Sequence, residues 1–133
     1  MTKLTIQDVA KNLDQWPRSW EIDDGDAEIG RRLLDAVFLP FFEHLAAQGL
    51  AKKTIRRHID NIWLLGGEII EELYEDEEEG EELRTLAPSE LVLHLIDSEG
   101  GPYSKHLNSE AEMRSFDSSC KKLFKFLRHG AVE

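Results

Sequence analysis

The sequence predicts an all-α fold, one domain of about five helices, and three observations carry that prediction. Apolar residues recur at three- and four-residue steps through successive long stretches. No segment alternates apolar and polar residues as a half-buried strand does. Proline, glycine and aspartate clusters fall where the periodic stretches stop. A chain of 133 residues, 41% of them hydrophobic, can bury roughly two-thirds of its unfolded surface in a single core.

The first element expected is a short helix from Thr5 to about Gln15. Thr5 and Asp8 have capping-box spacing, and Ile6, Val9 and Leu13 share one face. Trp16-Pro17-Arg18-Ser19-Trp20 then reads as a break, because the residue before proline avoids the α region. The two tryptophans either pin this N-terminal arm, residues 1–25, to the bundle or grip a peptide or sugar. Buried aromatics serve packing more often than recognition. Asp23-Asp24-Gly25-Asp26 is a turn and N-cap cluster. It lacks the residue order and the twelfth-position glutamate of a calcium loop.

The bundle proper is expected over residues 27–128. Its first helix runs from about Ala27 to Gln48, with Ile29, Leu33, Val37, Phe41 and Leu45 four residues apart. Pro40 removes one backbone donor and should kink or divide this helix near Ala36 to Leu39. Gly49-Leu50 is a stop signal, with glycine in the left-handed conformation and leucine folding back on the last turn. The next helix follows within a few residues, so the two should pack as neighbours.

That next helix, from Gly49 to Asp76, is the longest. Ile55, Ile59, Ile62, Gly66, Ile69 and Leu73 keep one narrow face toward a partner. Its charges oppose the helix dipole. Lys52, Lys53, Arg56 and Arg57 crowd the positive N-terminal end, and Glu71, Glu72, Glu75 and Asp76 crowd the negative C-terminal end. Gly66-Gly67 costs about 1 kcal/mol per residue relative to alanine. Close approach of another helix at Gly66 would offset that, and a hinge is the functional alternative. After Tyr74 the acidic run, which includes Glu77, Glu78 and Glu79, should fade into a solvated loop through Glu82.

Pro88 and Ser89 open a short helix carrying Leu91, Val92, Leu95 and Ile96, which ends before Gly100-Gly101-Pro102. The last helix starts at Ser109, with Glu112 completing a capping box. Met113, Phe116, Cys120, Leu123 and Leu127 line its apolar face. Lys121, Lys122, Lys125 and Arg128 occupy its last turns, where they also suit the dipole.

Composition bounds the function. The formal net charge is −11, yet ten acidic residues lie between Glu68 and Glu82 and five between Glu21 and Glu28, which leaves +4 for the rest. Net charge therefore does not exclude nucleic acid. Cys120 is the single cysteine, so no intrachain disulfide forms and a reducing, cytoplasmic setting is expected. No apolar run reaches the ~20 residues of a membrane span, and Met1 to Ala10 has no signal-peptide core. Catalytic signatures are missing: no Gly-x-Ser-x-Gly elbow, no glycine-rich phosphate loop, no His-Glu-x-x-His. The histidines show no zinc spacing. Neither a metal nor any other cofactor is expected, and the reading is of a protein that is not an enzyme.

The segment Phe42 to Phe126 resembles the core-binding, SAM-like N-terminal domain of the tyrosine recombinases, or phage integrases. The resemblance rests on Phe42-Glu43-His44-Leu45, on Gly49-Leu50-Ala51-Lys52-Lys53-Thr54-Ile55, on Ile59, Ile62 and Leu65, and on the leucine-rich Leu91 to Ile96. Ser109-Glu110-Ala111-Glu112 and Leu123-Phe124-Lys125-Phe126-Leu127 complete it. It implies a small orthogonal bundle that clamps one face of duplex DNA. The positions that would inherit DNA contact are Lys52, Lys53, Thr54, Arg56 and Arg57, with Lys121, Lys122 and Lys125. Ala51 stands where the family often has a serine cap, and the acidic run has no counterpart there. With the chain ending at Glu133, no recombinase catalytic domain is expected. Tyr74 and Tyr103 lie near no His-x-x-Arg sequence.

Two binding readings follow. In the first, the protein is a non-catalytic interaction or adaptor module, and Glu71, Glu72, Glu75, Asp76, Glu77, Glu78 and Glu79 receive a basic protein partner. In the second it is a stand-alone DNA-binding module, with phosphate at the basic helix end. A solvated helix whose basic end pairs with Asp23, Asp24 or Asp26 needs no ligand at all.

Overall fold

A computed structural model describes residues 12–129. Most of the helix expected from Thr5 to Gln15 lies outside the described residues. Its final part is a 3₁₀ turn, Leu13–Gln15, leading directly into α1, Trp16–Ser19. The expected break at Trp16 to Trp20 is therefore corrected to a helical turn. Pro17 occupies the first turn of α1, where its missing N–H has no bond to lose, and Trp16 itself is helical.

The central rod comprises α2, Asp26–Leu33, a π-helical turn, Leu34–Phe38, and α3, Leu39–Ala47. The π-turn falls where Pro40 was expected to disturb the helix. The Leu39 N–H reaches back to the Leu34 carbonyl, five residues away, which widens the turn just before the proline ring. Gly49 adopts φ +76° and ends the rod as a left-handed cap.

The long helix α4, Lys52–Glu72, is shorter at its C-terminal end than its sequence pattern suggested. The acidic run beyond it is not a loop. It forms α5, Glu77–Arg84, whose N-cap Asp76 accepts a 2.8 Å hydrogen bond from the Glu79 N–H. Three carboxylates in the first turn, Glu77, Glu78 and Glu79, face the positive end of that helix dipole. Leu83 is buried and anchors α5 to the core. Charge density alone favoured a solvated coil, and the cap and the single apolar anchor override it.

Next come α6, Pro88–Leu95, and α7, Glu110–His129. The Ser109 hydroxyl accepts from the Glu112 N–H at 3.1 Å, and the Glu112 carboxylate accepts from the Asn108 N–H at 2.8 Å. With α2, the π-turn and α3 counted as one rod, the described residues form a six-helix all-α bundle. The one β-type pairing among the described residues is the bridge between Asp97 and Gly100. No described helix is long and apolar enough to cross a membrane.

The core is aromatic along the rod. Phe38, Phe41 and Phe42 are fully buried. Trp16 meets Phe42 edge-on at 5.7 Å between ring centroids, and Trp20 meets Phe38 at 5.9 Å. Such pairs contribute about 0.5–1.5 kcal/mol each beyond burial. The tryptophans thus pin the arm to the rod. Trp20 also explains Gly66: its ring occupies the space a side chain there would need. The close approach expected at Gly66 is made by this ring rather than by another helix. On α7, Phe116, Cys120 and Leu123 are buried as expected, whereas Met113 is exposed at the rim.

Asp26 locks the arm to the far end of α4. Its carboxylate is fully buried and accepts from the Ile22 and Asp23 N–H groups, at 3.1 and 2.8 Å, and from the Tyr74 hydroxyl at 2.6 Å. Arg84 Nη1 lies 3.3 Å from it, and the same guanidinium sits over the Tyr74 ring. Burial pushes the Asp26 carboxyl up, and these hydrogen bonds together outweigh it, so its pKa lies below the ordinary value. Asp26 is thus paired with Arg84, not with the basic end of α4.

Candidate functional site

The helix α4 carries two surfaces, an outward face toward solvent and a face packed on α7. At about 100° per residue, Asp60, Trp63, Gly67 and Glu71 fall on one outward face, while Arg57 and Asn61 point about 60–100° to one side of Asp60 and meet Ser115 and Ser119 of the last helix.

On the first face, three concavities join into a trough. One, of about 640 Å³, is bordered by Gln15, Trp16, Asp60 and Trp63. The next, about 350 Å³, shares Ser19, Trp63, Leu64 and His106 with it and reaches Trp20, Glu21 and Gly67. The last, about 480 Å³, shares Ile22, Glu68 and Glu71 and ends among Glu72, Tyr74, Glu75 and Tyr103. The walls are the α1 arm on one side and the 102–106 loop on the other. From Asp60 to Glu72 the floor spans about 18 Å at 1.5 Å per residue, room for roughly five or six extended residues.

The trough is acidic. Asp60, Glu21, Glu68, Glu71, Glu72 and Glu75 line it, against Lys105 as its one lysine. Burial pushes the Glu68 carboxyl above its ordinary range, and Glu71 adds to that; the Ser104 hydroxyl, 2.9 Å away, and His106 and Lys105 pull it back. Asp60 is also raised by burial, with Arg56 one turn earlier opposing. Trp63 forms the wall common to the first two concavities. Its indole N–H donates to Ser19 Oγ at 3.0 Å, and its carbonyl accepts from the Trp20 indole at 2.9 Å.

On the second face, α4 packs against α7 through a buried polar seam. His58 is fully buried, with Nδ1 2.6 Å from Ser119 Oγ. Asn61 Nδ2 donates to Ser119 Oγ at 2.9 Å and to Ser115 Oγ at 3.1 Å, and Arg57 Nη1 donates to Ser115 Oγ at 2.9 Å. His58 Nε2 has no partner among the described residues. Burial first, then Arg57 and Lys122, lower the His58 pKa to about 4, so the ring is neutral at pH 7.

The eight positions expected to contact DNA do not form one cluster. Arg57 donates to Ser115 Oγ at the seam, and the charges of Arg57 and Lys122 both act on His58. Arg56 turns to the Asp60 end of the trough. Lys121 and Lys125 lie about 140–180° from the buried Phe116 face of α7 by helical twist. Lys52 and Lys53 are exposed in the first turn of α4, and Thr54 is half-buried. The seven acidic positions divide as well. Glu71, Glu72 and Glu75 line the trough, whereas Asp76, Glu77, Glu78 and Glu79 serve the start of α5.

Sequence reasoning missed Trp63, Tyr103 and Glu68 as surface residues, and the His58 seam altogether. Trp63 carried a readable signal, since it falls off the Ile55–Ile59–Ile62–Ile69 stripe. Glu72, Glu79 and His94 bring three potential ligand atoms within 4.8 Å from three different helices. They are partly or fully exposed, and His94 Nε2 already lies 3.3 Å from Glu79 Oε1, so a surface polar contact accounts for them. Cys120 is buried, and burial with Asp117 nearby raises its thiol far above its ordinary range, which disfavours the reactive thiolate.

Comparison with protein-family models, with curated proteins and with solved structures gives no match to this chain.

Proposed function

We propose that the protein is a non-catalytic interaction module whose acidic trough along α4 receives a basic, extended segment of a partner protein. One observation carries this reading. Five large apolar side chains are exposed among the described residues, and four of them, Ile22, Trp63, Tyr74 and Tyr103, border the trough. Exposed apolar groups gathered around one concavity and rimmed by like charge are the usual composition of a recognition surface. The charge selects a cationic partner and speeds its approach.

The test is a titration of a fluorescent heptapeptide alternating lysine and leucine, followed by anisotropy. Wild type binds, more weakly as salt rises, and a Glu71→Lys/Glu75→Lys variant loses about tenfold or more. An equal affinity for the variant, or no binding at low salt, overturns the reading.

A second reading, the stand-alone DNA-binding module suggested by the integrase resemblance, draws support from Arg57 and Lys122. Both charges act on His58, and neither has a carboxylate within ion-pairing distance among the described residues. Duplex DNA titrated at low and physiological salt tests it. A binder loses affinity steeply with salt, and an Arg57→Glu/Lys122→Glu variant shows a smaller slope. No binding at about 50 mM salt removes this reading.

A further inference from the structure

The trough is not uniform, and its middle differs from its ends. Here the exposed Trp63 stands beside the buried Trp20, with Glu21, Glu68 and Glu71 around the same concavity. Ser19 accepts from the Trp63 indole N–H, which orients the ring, and the Trp20 indole donates to the Trp63 backbone carbonyl. Glu68 is held in turn by the Ser104 hydroxyl. Gly67, on the floor, leaves ordinary contact space beside the Trp20 ring.

Resting on the interaction-module reading, we infer that this middle concavity is a subsite for one cationic side chain, arginine or lysine, stacked on Trp63 and neutralised by Glu68 and Glu71. An aromatic face attracts a cation through its quadrupole, more strongly where water is partly excluded. The neighbouring carboxylates add the countercharge that the aromatic wall cannot supply. The concavity of about 350 Å³ accommodates a side chain of that size with its aliphatic stem along Leu64. His106, which lines this concavity, and Lys105 act against the Glu68 charge. Lys105 lines the adjoining concavity, not this one.

The experiment is a double-mutant cycle in the full chain. Two basic heptapeptides are compared, identical except that the central arginine of one is citrulline, which keeps the shape and removes the charge. Wild type binds the arginine peptide about fivefold to twentyfold more tightly. That preference collapses in Trp63→Leu and, independently, in Glu68→Gln, which retains an acceptor for Ser104. A lysine peptide shows the same collapse. Binding of both peptides with an undiminished preference in the two variants overturns the subsite while leaving the trough reading intact. Failure of every peptide to bind overturns the trough reading, and the subsite with it.

Discussion

His58 Nδ1 and Ser119 Oγ stand 2.6 Å apart across the seam between α4 and α7, with the other ring nitrogen of His58 buried and without a partner among the described residues. A protonated imidazole is unfavourable there, between the Arg57 and Lys122 charges. The folded pKa of about 4 lies below the ordinary 6.5, so the unfolded chain binds more protons between those values. The contribution of His58 to stability is therefore complete above pH 6.5 and is lost as pH falls toward 4, by on the order of 3 kcal/mol. Urea unfolding across that range should show the loss in wild type. A His58→Leu variant should show a flatter profile, and an unchanged profile would remove His58 as its cause.

Asp26 predicts a different acid transition. Its folded pKa is depressed, so its contribution is present above the ordinary carboxylate range and disappears as pH falls through its own lower value. At neutral pH, Asp26→Ala strands the Tyr74 hydroxyl and two backbone donors and should cost roughly 2–4 kcal/mol. Tyr74→Phe removes one of those bonds and should cost about 1 kcal/mol. Thermal melts of the two variants check the order.

The glycine pair of α4 should respond with opposite signs. Gly66→Ala gains helix propensity but drives a methyl into the Trp20 ring, and overpacking of this kind costs about 1–3 kcal/mol. At Gly67 the nearest Trp20 atom would lie 3.6 Å from the new carbon, ordinary contact, so Gly67→Ala should stabilise by up to about 1 kcal/mol. Chemical denaturation of both variants decides. A destabilised Gly67→Ala would indicate a hinge.

The fold was largely legible because its helices are periodic and capped. The Ile55 to Ile69 stripe, the Gly49 stop, the Pro40 disturbance and the Ser109 cap all correspond to structural features. Three features were not legible. Helix α5 hides inside a run whose charge density resembles a coil, because a single buried Leu83 and the Asp76 cap hold it. The trough was invisible because its walls come from the arm, from α4 and from the 102–106 loop, and no one-dimensional spacing joins Trp63 to Tyr103. Glu71, Glu72 and Glu75 were readable as acidic positions. The division of the basic set was also hidden, since Arg56 and Arg57 are sequence neighbours that point about 100° apart.

On the proposed reading the acidic trough, and not the basic end of α4, is the recognition surface. Amide chemical shifts of the full chain, followed during titration with the lysine–leucine heptapeptide, test it most directly. Shifts are expected at Trp63, Gly67, Glu68, Glu71 and Tyr103, with Lys52, Lys53 and Lys121 to Lys125 unmoved. Shifts confined to the basic positions, or none at saturating peptide, would contradict it.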